Sequence, residues 1–75
     1  MKEKTIFNYS ALEGKIKEVF DTQENLAAAI PMSRTSLNNK LQNKVDFTSS
    51  DIWRIAQLLN ISSSELDTYF FKEKV

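Results

Sequence analysis

The chain has 75 residues, enough for one small core, and its 41% hydrophobic content with a single Gly and a single Pro fits a compact helical fold. Cys and His are both absent, which excludes disulfides and thiolate or imidazole metal sites. Ten basic residues balance ten acidic ones, so there is no net basic charge of the kind most nucleic-acid binders carry.

No apolar run reaches the length of a membrane span, and Met1-Lys2-Glu3-Lys4 is not followed by a signal-type apolar stretch. The expected location is the cytoplasm. The chain shows no repeat, linker or low-complexity segment, so residues 1–75 are expected to form a single domain.

The periodicity is helical almost throughout. Asn8 is the expected N-cap of the first helix, with Phe7 and Leu12 at the spacing of a hydrophobic staple. Leu12, Ile16, Val19 and Phe20 fall on one face, which should turn inward. Gly14 either weakens this helix or admits a close neighbour. Asp21 should end it. Thr22 then caps a short second helix with Glu24 in its first turn and Leu26, Ala27 and Ile30 inward. Pro31 should end that helix by pushing Ile30 out of the helical region.

Ser33 caps a third helix in which Leu37 and Leu41 are the anchors and Arg34, Thr35, Ser36, Asn38, Asn39 and Lys40 are polar. A loop follows over 43–47. Thr48 and Asp51 resemble a capping box opening a fourth helix. Ile52, Ile55, Ala56 and Leu59 form its inward stripe, with Trp53 and Leu58 at the core edge. Asn60 suits a left-handed cap. Ser62 and Glu65 form a second box, opening a fifth helix with Leu66 and the run Tyr69-Phe70-Phe71. The predicted fold is all-α, a compact bundle of about five short helices.

The stretch from residue 22 to 41, TQENLAAAIPMSRTSLNNKL, has the layout of a helix-turn-helix. Its motif T-Q-x-x-L-A followed by S-R-T-S-L resembles the Cro/CI group of phage repressors, and the apolar fourth helix with N-I-S-x-x-E-L extends the likeness over nearly the whole chain. N-Y-S-x-L-x-G-K-I, L-N-N-K-L-Q-N-K-V and Y-F-F-K-E-K-V are similar to small Cro-like proteins of temperate phages. That set includes modulators of repression, which bind the phage's own repressor. The resemblance implies a lambda-repressor-like helix-turn-helix domain working in the cytoplasm of a bacterial host.

Carried over by position, the resemblance makes Gln23 a phosphate and base-edge contact and Arg34, Thr35 and Asn39 base readers. Their chemistry suits this: Arg prefers guanine, Asn pairs with adenine, and Thr bonds or touches a thymine methyl. Ser33 and Lys44 would hold phosphates, and Asn38 is a further candidate pointing partly away from the groove. One departure stands out. Pro31 occupies a turn position that is normally Gly in the group, so this turn must be built differently.

Three aromatics in a row cannot all face inward, so Tyr69, Phe70 and Phe71 supply both core closure and a candidate dimer or partner contact. The serines lack a base partner and read as caps and turns. Neither a cofactor nor a metal site is expected, and the chain does not read as an enzyme. Two functions remain. The leading one is a Cro-like repressor that binds double-stranded operator DNA as a homodimer, favoured by the polar third helix. The alternative is an antirepressor that occupies a phage repressor protein, favoured by neutral charge and by Pro31.

Overall fold

The structure, a computed structural model, describes residues 5–74. The reading of Met1–Lys4 therefore lies outside the described residues. The order is α1 (Ser10–Phe20), α2 (Gln23–Ala29), α3 (Arg34–Leu41), α4 (Ser49–Leu59), a single 3₁₀ turn (Ser63–Glu65) and α5 (Leu66–Phe70). The predicted all-α bundle of five short helices is observed. Among the described residues, no helix is long and apolar enough to cross a membrane.

α2, α3 and α4 each start where a side chain satisfies one of the unpaired N–H groups. Thr22 Oγ1 accepts from Asn25 N–H at 3.1 Å, and Ser33 Oγ from Ser36 N–H at 3.0 Å. Thr48 Oγ1 accepts from Asp51 N–H at 3.1 Å while Asp51 Oδ2 accepts from Thr48 N–H at 3.0 Å, a complete capping box. Ahead of the 3₁₀ turn, Glu65 Oε1 accepts from Ser62 N–H at 3.1 Å, which holds its carboxyl below the usual range.

The first helix departs from expectation. Asn8 is not its cap; Tyr9 is, and Asn8 Oδ1 accepts from Ser10 N–H at 2.9 Å one step upstream. Asn8 N–H is committed elsewhere, to Lys72 O at 2.7 Å, in a short antiparallel pairing of the first and last described segments. Lys74 N–H to Ile6 O at 2.8 Å continues that pairing.

Two helices end on a left-handed asparagine. Asn43 has φ 64° and Asn60 φ 57°, and both endings close with the paired bonds of a Schellman motif. Lys44 N–H reaches Asn39 O at 2.9 Å and Asn43 N–H reaches Lys40 O at 3.2 Å. Ile61 N–H reaches Ala56 O at 2.9 Å, and Ile61 itself is buried. Asn43 has a second use. Its side chain accepts from Phe7 N–H and donates to Phe7 O, both at 3.0 Å, imitating a neighbouring strand.

The α2–α3 turn shows how a proline replaces a glycine. Met32 N–H still reaches back five residues to Ala27 O at 2.8 Å, but no residue of the turn has positive φ. Proline has no N–H for the second, inner bond of a Schellman closure. Ile30 was expected to leave the helical region, yet it stays there (φ −75°, ψ −25°). Its side chain is buried in the core and its N–H reaches Leu26 O at 3.1 Å, so packing outweighs the local proline constraint. Arg54 Nη1 lies 3.5 Å from Ile30 O, beside the end of α2.

The core joins Leu12 and Ile16 of α1, Leu26 and Ala27 of α2, Leu37 and Leu41 of α3 and Ile55, Ala56 and Leu59 of α4, with Tyr9, Ile30, Ile61 and Phe70. Val19 is a correction: it is 46% exposed. Ile16 and Phe20 hold the inward line, and Val19 lies 100° round the helix from Phe20. Gly14 is exposed, and a Cβ there would meet nothing within 4 Å. It therefore weakens the helix without admitting a neighbour. Gly14→Ala should stabilise the protein by about 0.5–1 kcal/mol, read as a raised midpoint in urea unfolding.

Candidate functional site

α3 is polar at every position except its two leucine anchors. Leu37 and Leu41 are buried and anchor the helix, and Ser33 fixes where it begins. Arg34 and Thr35 are exposed and Asn38 is half-buried. Arg34, Thr35 and Asn38 together surround one shallow depression of about 240 Å³. Asn38 is thus grouped with the two strongest candidates.

The other sequence candidates are distributed differently. Asn39 is half-buried, and its carbonyl accepts from Lys44 N–H, so the end of α3 is locked to the following loop. Lys44 is exposed just past that closure, and Ser33 is exposed but spends its hydroxyl on the cap and on Ser36 Oγ at 2.9 Å. Gln23 is half-buried in the first turn of α2.

Lys40 does not face outward. Its ammonium pairs with Asp51 of α4, both side chains being largely buried at 13% and 16% exposure. Burial alone would raise the Asp51 carboxyl, but Lys40 and the Thr48 hydrogen bonds outweigh it and hold the carboxyl below its ordinary value. The segment from Ser33 to Val45 has three basic residues and no acid in its own sequence, yet one of its three charges is neutralised from α4. The exposed positive charge of this face reduces to Arg34 and Lys44.

The aromatic tail divides as the sequence requires. Phe70 is 2% exposed and meets Phe47 edge-on with ring centroids 5.6 Å apart. It is core, which corrects its candidacy as a partner contact: its ring closes the space between α1 and the loop before α4. Tyr69 is half-buried against the core, and Phe71 is 46% exposed, edge-on to Phe7 at 6.1 Å.

Trp53 was expected at the core edge. It is 64% exposed, the most exposed large apolar residue among those described. With Ile52, Ala56, Ile61, Leu66 and Phe71 it lines an open groove of about 420 Å³ between α4 and α5. Nothing local in the sequence signalled this groove, because its second wall comes from the placement of α5.

The described residues thus form a small all-α domain of five short helices, in which a short α2, a tight turn and a polar α3 follow one another. The chain belongs to the family DUF739, described as proteins of unknown function, whose pattern matches residues 5–73. Among solved structures it is similar to the solution structure of the modulator of repression of the temperate bacteriophage TP901-1 from Lactococcus lactis. Identity is 34%, over 87% of this chain and 88% of that one, with a TM-score of 0.78. No curated protein matches the sequence. The kinship with phage regulators expected from the sequence therefore holds.

Proposed function

We propose that this protein is a modulator of repression, which binds the repressor of a temperate phage in the host cytoplasm and keeps it from operator DNA. The similarity to the TP901-1 modulator over most of both chains carries this reading. Electrostatics agrees with it. A protein neutralising six to ten phosphates gains most of its affinity from counterion release, whereas this face keeps only Arg34 and Lys44 and the chain as a whole is neutral. Such a surface suits a protein partner. Arg34 supplies the donor fork that carboxylates accept in pairs, and arginine is enriched among dominant interface residues.

The test is sizing chromatography of the purified protein with the repressor encoded by the same genome. Co-elution is expected, and Arg34→Glu should abolish it. Separate peaks at concentrations well above micromolar would reject the reading.

A second reading, a Cro-like DNA-binding repressor acting as a homodimer, draws on one observation. Arg34, Thr35 and Asn38 surround a single depression on α3 and are residue types that read base edges. Half-sites would lie ~34 Å apart. A gel shift on the phage promoter region at low salt distinguishes the two: sequence-preferring retardation by the protein alone would favour DNA.

A further inference from the structure

We infer that Lys40 and Asp51 are positioning residues: their pair fixes the roll of α3 about its own axis and so presents Arg34, Thr35 and Asn38 to a partner on the side away from α4. That the partner is a repressor rests on the antirepressor reading above; the orientation is a property of the free protein. α3 packs chiefly on α2 and is anchored by Leu37 and Leu41. Apolar contacts of this kind are non-directional, so they hold a helix in place without setting its rotation. The turn joining α2 to α3 closes through Met32 N–H to Ala27 O and lacks the inner bond that Pro31 cannot donate. Among the described residues, the Lys40–Asp51 pair is the one hydrogen-bonded or ionic link between α3 and α4. Its far end is itself held, because Asp51 Oδ2 also accepts from Thr48 N–H in the capping box. The Lys40 ammonium is therefore referred to the backbone of the first turn of α4.

Helix geometry converts this tie into an orientation. Ser33, Ser36 and Lys40 follow at spacings of three and four and so form one stripe. Ser33 and Ser36 line a depression with Asp51 and Arg54, which places α4 beside that stripe. Arg34, Thr35 and Asn38 lie roughly 120–160° round the axis from Lys40, and they line the separate depression on α3. Drawing Lys40 onto α4 turns those three away from it. Stability alone does not account for the pair. Replacing a buried ion pair by apolar side chains of similar volume is often neutral or stabilising, and the best-attested use of such a pair is to select one arrangement.

The test compares the full chain with Lys40→Met and, from the other end of the pair, Asp51→Asn, which keeps an amide oxygen for Thr48 N–H. Both should keep the wild-type circular dichroism. Backbone N–H residual dipolar couplings in a weakly aligning medium report the tilt and roll of each helix, and titration with the purified repressor reports binding. The expected result is that the couplings of α3 in both variants no longer fit the wild-type orientation, while those of α1, α2 and α4 still do. Repressor binding should weaken about tenfold or more in both. Unchanged α3 couplings overturn the inference whatever happens to binding, because the pair then acts without turning the helix. Changed couplings with binding at wild-type strength overturn it too, since the roll of α3 is then of no consequence to the partner. Two variants that fail to fold would make the pair a requirement of folding, which also overturns it. If the wild-type protein forms no complex at tens of micromolar, the antirepressor reading falls, and the couplings still decide the orientation.

Discussion

Phe70→Ala is expected to cost about 3–5 kcal/mol, the range for emptying the site of a buried aromatic ring. Its ring is one end of a chain of ring contacts running from Phe70 to Phe47 (5.6 Å), from Phe47 to Tyr9 (5.3 Å) and on through Phe7 to Phe71, all edge-on but the tilted pair of Tyr9 and Phe7. Removing Phe70 loses burial and takes from Phe47 one of its two ring contacts. A domain of this size commonly has about 5 kcal/mol of stability in total, so most of the variant should be unfolded at physiological temperature. Thermal unfolding followed by far-ultraviolet circular dichroism checks this. A midpoint within a few degrees of wild type would show that the ring's site can collapse around the gap.

Asp51→Ala should be nearly as damaging, by about 2–4 kcal/mol. The carboxylate serves two structures at once, closing the Thr48 capping box and pairing with Lys40. Losing a cap costs about 0.5–2 kcal/mol, and stranding a largely buried ammonium adds to it. The pH dependence has a definite sign. The folded-state carboxyl is held below its unfolded value, so its stabilisation is present above pH ~4 and is lost as pH falls through the folded value. The stability gap between wild type and Asp51→Asn should therefore narrow from pH 6 towards pH 3 in urea titrations. A gap that stays constant across that range would show that Asp51 titrates alike in both states. Lys40→Met, which removes the charge but keeps an apolar stem, should cost less than Asp51→Ala.

The helices were legible in the sequence because their boundaries are local. Thr22, Ser33 and Thr48 cap within three residues, and Asn60 terminates α4 through its own backbone angle. What escaped was set by distant partners. Asn8 looks like a cap until Lys72 claims the backbone beside it, and Asn43 looks like a loop residue until it grips Phe7. Ile30 obeys the core rather than the proline after it. At the candidate site the anchoring of α3 followed from Leu37 and Leu41, but the grouping of Arg34, Thr35 and Asn38 around one depression is seen only in the folded chain. The withdrawal of Lys40 needed α4 to be docked first. The groove beside Trp53 needed α5 in place, since no residue adjacent in sequence supplies its far wall.

The pairing of Phe7 with Glu73 makes the first and last described segments a single seam. Loop-closure entropy for the whole span from Phe7 to Glu73 must be met before its few hydrogen bonds return anything, so the seam should zip after the helices have docked. During synthesis Phe7 must wait until Glu73 has been made before its neighbour arrives. The seam should likewise open first under stress, with fraying at one end releasing the other, because neither short segment has a hydrogen-bonded ladder of its own.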